Sequence, residues 1–215
     1  MSPKRPQPRD HVDDVSEATD DLGGARAWTG RVFVGVSLDG YLARPDDDLD
    51  WLTDPPPGRS HARVSSDRPA LTWETFYPDV DHILMGRRTY DKVLTFGDWP
   101  YPDKSVVVVS RTRRGLDDRV TSVTSLQEAS AVLRSGGAEQ VYVDGGALIR
   151  SCLERGLIDE ITVSTAPVLL GEGIPPFGRL ARDVLLTLTG SHVSDSGMVC
   201  ATYRVAAACV PGLRD

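Results

Sequence analysis

Apolar and polar residues alternate from Arg31 to Val36, which predicts a strand, and Ser37-Leu38-Asp39-Gly40 closes it with a turn. A loop rich in Asp and Pro follows from Ala43 to about Gly58, with one aromatic anchor at Trp51. A helix is expected from near Asp67, with Pro69 in its first turn, to Tyr77 before Pro78. His82–Met85 is a short apolar strand, followed by Gly86 and a helix from about Arg87 to Leu94. Ser105–Val109 is a β-branched run bounded by turns, the pattern of a buried parallel strand. Ser125–Leu133 predicts a helix with a Ser125/Glu128 capping box and a Gly136-Gly137 stop. Gln140–Val143 is another buried strand, Ala147–Arg155 a helix stopped by Gly156, and Ile158–Thr165 a strand. Two closing strands, near Val184–His192 and Met198–Val205, flank a Ser/Asp/Gly turn and read as an antiparallel hairpin. Strands alternating with helices predict an α/β fold with a mixed, mostly parallel central sheet.

Composition narrows the function. The 215 residues carry 24 basic and 31 acidic side chains, a net charge of −7, which argues against a general nucleic-acid or anionic-membrane binder. The longest aliphatic run, Val106–Val109, is far short of the ~20 residues of a membrane span. Cys152, Cys200 and Cys209 are too scattered for a disulfide framework, and the four histidines form no ligand spacing, so no metal site is expected. Residues 1–28 hold six acids, four basic residues and three prolines, with almost no large apolar side chains, so a disordered tail is expected there. It lacks the apolar core of a signal peptide, which points to a cytoplasmic protein. One domain over residues 29–208, with a short tail at 209–215, accounts for the rest.

In open α/β sheets, ligands gather where strands end and helices begin. Three such places carry suitable chemistry. Met85-Gly86-Arg87-Arg88-Thr89-Tyr90 sets two guanidiniums at a helix start, where the dipole disfavours them unless an anion is bound. Ser110-Arg111-Thr112, with Arg113 and Arg114 behind, follows the Ser105–Val109 strand and suits a ribose 2′-phosphate better than a free ribose, favouring NADPH over NADH. Tyr142-Val143-Asp144-Gly145-Gly146-Ala147 puts adjacent glycines between strand and helix, where backbone must pass close to something. This is not GxGxxG, which disfavours a Rossmann dehydrogenase. Each also has an ordinary alternative, namely a glycine turn with solvated arginines, a solvated basic loop, or a tight turn without ligand.

The order and spacing of these features resemble the dihydrofolate reductase superfamily. The nearest branch is that of the reductase domain of the bacterial riboflavin deaminase-reductase. Ser37–Gly40, Met85–Tyr90, Val109-Ser110-Arg111, Val143–Gly146 and the trailing Ala166–Gly173 carry the resemblance, which spans about Arg31 to Val205. It implies a three-layer dihydrofolate reductase-like fold and an NADPH-dependent reductase. The cofactor phosphates would then fall to Gly86, Arg87, Arg88 and Thr89, and the 2′-phosphate to Ser110 and Arg111. Gly145 and Gly146, a pair usually joined by a cis peptide in the family, would lie on the nicotinamide side with Ala147, Leu148 and Ile149. Val36 and Leu42 would flank the ring, and the Trp51 loop resembles the family's mobile flap.

True dihydrofolate reductases carry a carboxylate on the first helix, where this chain has Ala70. Asp67 reads more simply as a helix N-cap, and Glu74 faces either pocket or solvent, which argues against folate as substrate. The zinc-deaminase signature is absent, and Arg59 and Arg63 are the only candidates for a further phosphate site. The implied chemistry is hydride transfer to a pterin-like or ribosylaminopyrimidine-like heterocycle, or to a carbonyl compound. Water, Asp39, Asp50 or Glu74 would supply the proton, Ser164 would touch substrate, and Trp51, Trp73 and Tyr77 would stack on it or belong to the core. The rivals are an NADP(H)-binding module without catalysis and a structural α/β dimer. Homodimerisation is implied by the resemblance alone.

Overall fold

A computed structural model describes residues 26–53, 68–112 and 117–206. In chain order they form β1 (Thr29–Ser37), α1 (Asp50–Thr53), α2 (Trp73–Phe76), β2 (His82–Gly86), α3 (Arg87–Val93), β3 (Ser105–Val109) and β4 (Val120–Val123). Then come α4 (Leu126–Ser135), β5 (Gln140–Asp144), α5 (Gly146–Glu154), β6 (Glu160–Ala166), β7 (Leu186–Val193) and β8 (Val199–Val205). All eight strands share one sheet in the order β4-β3-β2-β5-β1-β6-β8-β7. The first six strands run parallel to their neighbours, whereas β8 is antiparallel to both β6 and β7.

Strand alternation assigns each residue to a face and so builds three layers. Val32, Val34 and Val36 of β1 join Val141, Val143 and Ile161 in a cluster capped by Ala129 and Leu133 of α4 and by Ile149 and Cys152 of α5. On the opposite face, Ile83, Met85, Val106, Val108 and Tyr142 pack with Phe76 of α2 and with Tyr90 and Val93 of α3. Burying each large apolar side chain contributes roughly 1.5–3 kcal/mol, so each cluster offsets the ordering of the elements it joins. The dihydrofolate reductase-like architecture and its closing antiparallel hairpin thus stand.

Several expected elements differ in extent. The helix expected from Asp67 to Tyr77 shrinks to Trp73–Phe76, followed by a 3-10 turn over Tyr77–Asp79. Its upstream residues run extended because the hairpin takes their hydrogen bonds: Ser191 N–H donates to Arg68 O, and Leu71 N–H to Thr202 Oγ1. Asp67, Arg59, Arg63, Arg113 and Arg114 lie outside the described residues. The edge strand β4 was not foreseen, since Val120-Thr121-Ser122-Val123 is short and half polar. At α4 the capping bonds shift by one residue: Glu128 N–H donates to Ser125 Oγ at 3.1 Å, but Glu128 Oε2 accepts from Thr124 N–H. The ordered body reaches into the segment assigned to the tail, for Trp28 is buried and Arg26 pairs with Asp159. Among the described residues no peptide is cis, and none of the helices is long and apolar enough to cross a membrane.

Candidate active site

The centre of the sheet opens at its carboxyl end. β1 and β5 pair only through Thr29–Gln140, Gly30–Val141 and Arg31–Tyr142. Beyond those pairs β1 continues to Ser37 along β6, and β5 continues to Asp144 along β2. The gap is spanned by the Tyr142 hydroxyl, which donates to the Phe33 carbonyl at 3.1 Å. Such a parting of central strands is where open α/β sheets admit ligands.

One wall of the gap is backbone. Gly145 has φ +96°, and a Cβ there would lie 2.2 Å from Thr89 Oγ1. A Cβ on Gly146 would lie 2.8 Å from Pro175 O and 3.3 Å from Leu42 Cδ1. The two glycines therefore let α3, α5, Leu42 and the 175–176 turn converge. The Leu148 and Ile149 amides both donate to Gly145 O, leaving those of Gly146 and Ala147 in the open first turn of α5. Arg87 Nε bonds both oxygens of Asp91 at 2.8 Å, while its Nη1 is buried without a partner. Arg88 pairs with Asp47 at 2.8 Å. Ser110 and Arg111 follow β3, the strand beside β2.

The structure thus gathers Leu42, Gly86, Arg87, Arg88, Thr89, Gly145, Gly146 and Ala147 around one edge, with Ser110 and Arg111 one strand farther. Val36, Leu148 and Ile149 differ: their side chains are buried in the apolar cluster on the α4/α5 face.

The expected proton donors are engaged elsewhere. Asp39 accepts from Ser37 Oγ and from the Leu170 and Gly171 amides, bonds that hold its carboxyl below the ordinary range. Arg44 does the same for Asp50. Glu74 is exposed, and its own backbone amide and Thr72 lower it. All three are anions at neutral pH, without a proton to give. Asp39 instead fastens the 170–171 turn to the end of β1.

The other wall is made of side chains. Trp73, 39% exposed, stacks on Tyr77 at 5.0 Å and meets Phe33 and Tyr142 edge-on. The Tyr77 hydroxyl donates to Asp103 at 3.0 Å, and burial pushes it up to about 12. Ser164 of β6 lies beside Gly35 of β1 on this same face. Trp51 is only 6% exposed, with its indole N–H buried and unpartnered, so it anchors the flap and offers no stacking surface.

Asp144 was not among the expected site residues. It sits at the tip of β5, accepts from Gly145 N–H at 2.7 Å, and neighbours Tyr142 and Tyr101. Burial raises its carboxyl to about 6, against the pull of those hydrogen bonds. Its signal was a carboxylate directly before the glycine pair, in a motif read for its glycines alone. A separate depression of about 430 Å³, lined by Thr29, Arg31, Asp79, Gln140 and Glu160, lies at the opposite, amino end of β1.

The chain is similar to known proteins in sequence and fold. The family model of the RibD C-terminal domain matches residues 29–200. The uncharacterised protein YwjB of Bacillus subtilis is 33% identical over 165 residues, 74% of this chain and 88% of YwjB. Among solved structures, a provisionally assigned riboflavin biosynthesis protein of Shewanella sp. PV-4 is 34% identical, with a TM-score of 0.69 over 83% of this chain and 99% of that one. Dihydrofolate reductase of Enterococcus faecalis, complexed with NADP(H), shares the fold at 12% identity and a TM-score of 0.53, over 82% of this chain and 94% of that one.

Proposed function

The chain belongs to the RibD C-terminal domain family, and from that premise we propose that it is an NADPH-dependent reductase acting on a small planar heterocycle of pterin or pyrimidine type, or on a carbonyl compound. The observation that carries this reading is the parting of β1 from β5, with a glycine pair on one side and an acid of raised affinity for its proton at the tip. The residues present fit the cofactor. The orphaned Arg87 Nη1 and the open Gly146 and Ala147 amides suit a pyrophosphate, and Ser110 with Arg111 suits a 2′-phosphate.

NADPH, when bound, supplies the hydride. Arg87, Arg88 and Thr89 would hold its phosphates, and the bare backbone of Gly145 and Gly146 would leave room for it. Trp73 and Tyr77 orient the substrate ring, and Ser164 offers it a hydroxyl. Asp144, holding a proton up to about pH 6, gives it to the atom adjoining the reduced carbon. Water is kept out by the flap that Trp51 anchors. A binding module without catalysis would use the same phosphate groups, but it gives Asp144 no task. We place the reaction in the cytoplasm. A second copy of the chain would cover the β7 edge, where Leu186 and Leu188 stand 43% and 56% exposed.

Titration with NADPH and then NADH, followed through tryptophan fluorescence, tests the reading. Tighter binding of NADPH is expected, weakened about 10–100-fold by Arg87→Ala and by Arg111→Ala, each of which removes a charge-assisted bond. Failure of both nucleotides to bind removes the reductase.

A further inference from the structure

Four aspartates crowd the loop that leads into α1, and three of them serve the loop itself. Asp46 Oδ1 accepts from Asp48 N–H at 3.2 Å, Asp48 Oδ1 accepts from the Leu49 and Asp50 amides, and Asp50 pairs with Arg44. Asp47 instead reaches out of the loop to Arg88, 41 residues along the chain, whose Nε donates to it at 2.8 Å. Asp47 is also the one residue other than glycine, among the described residues, with a positive φ, at +69°. The loop is fixed at its root by the bridge between Ala43 and Ile174. At its far end Trp51 is buried, and Leu52 carbons lie 3.0 and 3.1 Å from where a Cβ on Gly35 would stand. Asp47 lies between these two anchors, in a turn closed by Asp47 N–H donating to Arg44 O. Its ion pair therefore ties the tip of the flap to α3, beside Arg87 with its buried, unpartnered Nη1.

We propose that Asp47 and Arg88 form a latch. The Asp47 carboxylate holds Arg88 and pins the flap tip in the cofactor-free protein, and Arg88 turns from it to a nucleotide phosphate bound beside Arg87, which frees the flap. This rests on the reductase reading above, which gives Arg88 to the cofactor phosphates, and adds how the flap opens for substrate. One guanidinium cannot turn the same Nε edge to a carboxylate and to a phosphate at once. The phosphate carries the greater charge and accepts in the same two-pronged geometry. Arg88 is 69% exposed, and a pair so exposed biases an equilibrium by a factor of only about two to five. A tether that weak holds the loop yet gives way to a doubly charged competitor. By linkage, the latch weakens phosphate binding by the same factor by which phosphate weakens the latch.

The test uses the full chain, with hydrogen exchange of the amides of residues 44–53 and NADPH affinity as its two readouts. Without nucleotide, Asp47→Asn and Arg88→Ala should each speed that exchange about two- to fivefold, and the double variant should go no further. NADPH should bind Asp47→Asn about two- to fivefold more tightly than wild type. Asp46→Asn removes the same charge one residue away without touching Arg88, and should move that affinity less than about 1.5-fold. Saturating NADPH should raise exchange in wild type to the level of Asp47→Asn and leave that variant unchanged. Equal gains in affinity from Asp46→Asn and Asp47→Asn would mean simple charge repulsion and overturn the latch. So would wild-type exchange that NADPH leaves unchanged or slows. NADPH binding to none of the proteins counts against the reductase reading instead. The latch is then judged on the cofactor-free exchange, where additive effects of Asp47→Asn and Arg88→Ala overturn it.

Discussion

The two walls of the gap between β1 and β5 are built from different materials. The α3/α5 wall is backbone: Gly86, Gly145 and Gly146, two open amides, and arginines at a helix start. The opposite wall is side chains brought from afar, with Trp73 and Tyr77 from the strap across the sheet, Ser164 from β6 and Leu52 from the flap. In the function proposed, a phosphate-bearing cofactor, the same wherever it binds, would lie on the fixed backbone wall. A substrate ring has its own shape, and replaceable side chains are what fit it.

The largest effect should come from giving the backbone wall a side chain. Gly145→Ala forces a Cβ to 2.2 Å from Thr89 Oγ1 at φ +96°. Strain of this kind costs about 1–3 kcal/mol. The variant should lose that much stability in urea and bind NADPH at least about a hundredfold more weakly. Wild-type NADPH affinity in Gly145→Ala would mean that the glycine pair is only a turn.

Asp144→Asn probes the junction of the two walls. Its carboxyl is raised to about 6, so folding takes up a proton between about pH 4 and 6, and stability falls as pH rises through that window. Above it the buried anion costs up to about 2 kcal/mol, discounting the two-unit shift for partial exposure. Asp144→Asn should therefore be as stable as wild type at pH 4 and more stable at pH 8. Its turnover should drop about a hundredfold and lose the decline that wild type shows above pH 6. Equal stability at both pH values would mean that the carboxyl is solvated.

The smallest effect is expected away from both walls. Leu188→Asp on the exposed β7 edge should leave monomer stability within about 0.5 kcal/mol while converting a dimer to monomer in light scattering. A wild-type chain that is monomeric at micromolar concentration dismisses the second copy.

The same contrast explains what could be read from the chain itself. Gly86-Arg87-Arg88 and Gly145-Gly146 are contiguous and tied to strand ends, so their convergence is visible as local motifs. Asp144 was hidden in plain view, because its raised proton affinity comes from burial, against the pull of its Gly145 and Tyr142 hydrogen bonds, and no spacing encodes burial. Trp51 looked like a stacking surface because an aromatic in a polar loop reads the same whether it faces in or out. The helix expected up to Tyr77 was overestimated because Arg68 and Leu71 give their backbone hydrogen bonds to the hairpin, which proline positions do not reveal. Val36, Leu148 and Ile149 were assigned to the cofactor by the resemblance, and strand and helix periodicity sets their side chains in the core.

The central position of β1 has a consequence for how the chain is made. Its neighbours, β5 and β6, begin about 110 and 130 residues later, at Gln140 and Glu160. While a ribosome makes the intervening chain, both edges of β1 are unpaired and its Val32-Phe33-Val34 stretch has no partner. Contacts this distant in sequence make for slow folding. β1 is thus made well before either strand that satisfies it, and its edges stay open until the second half of the chain has emerged.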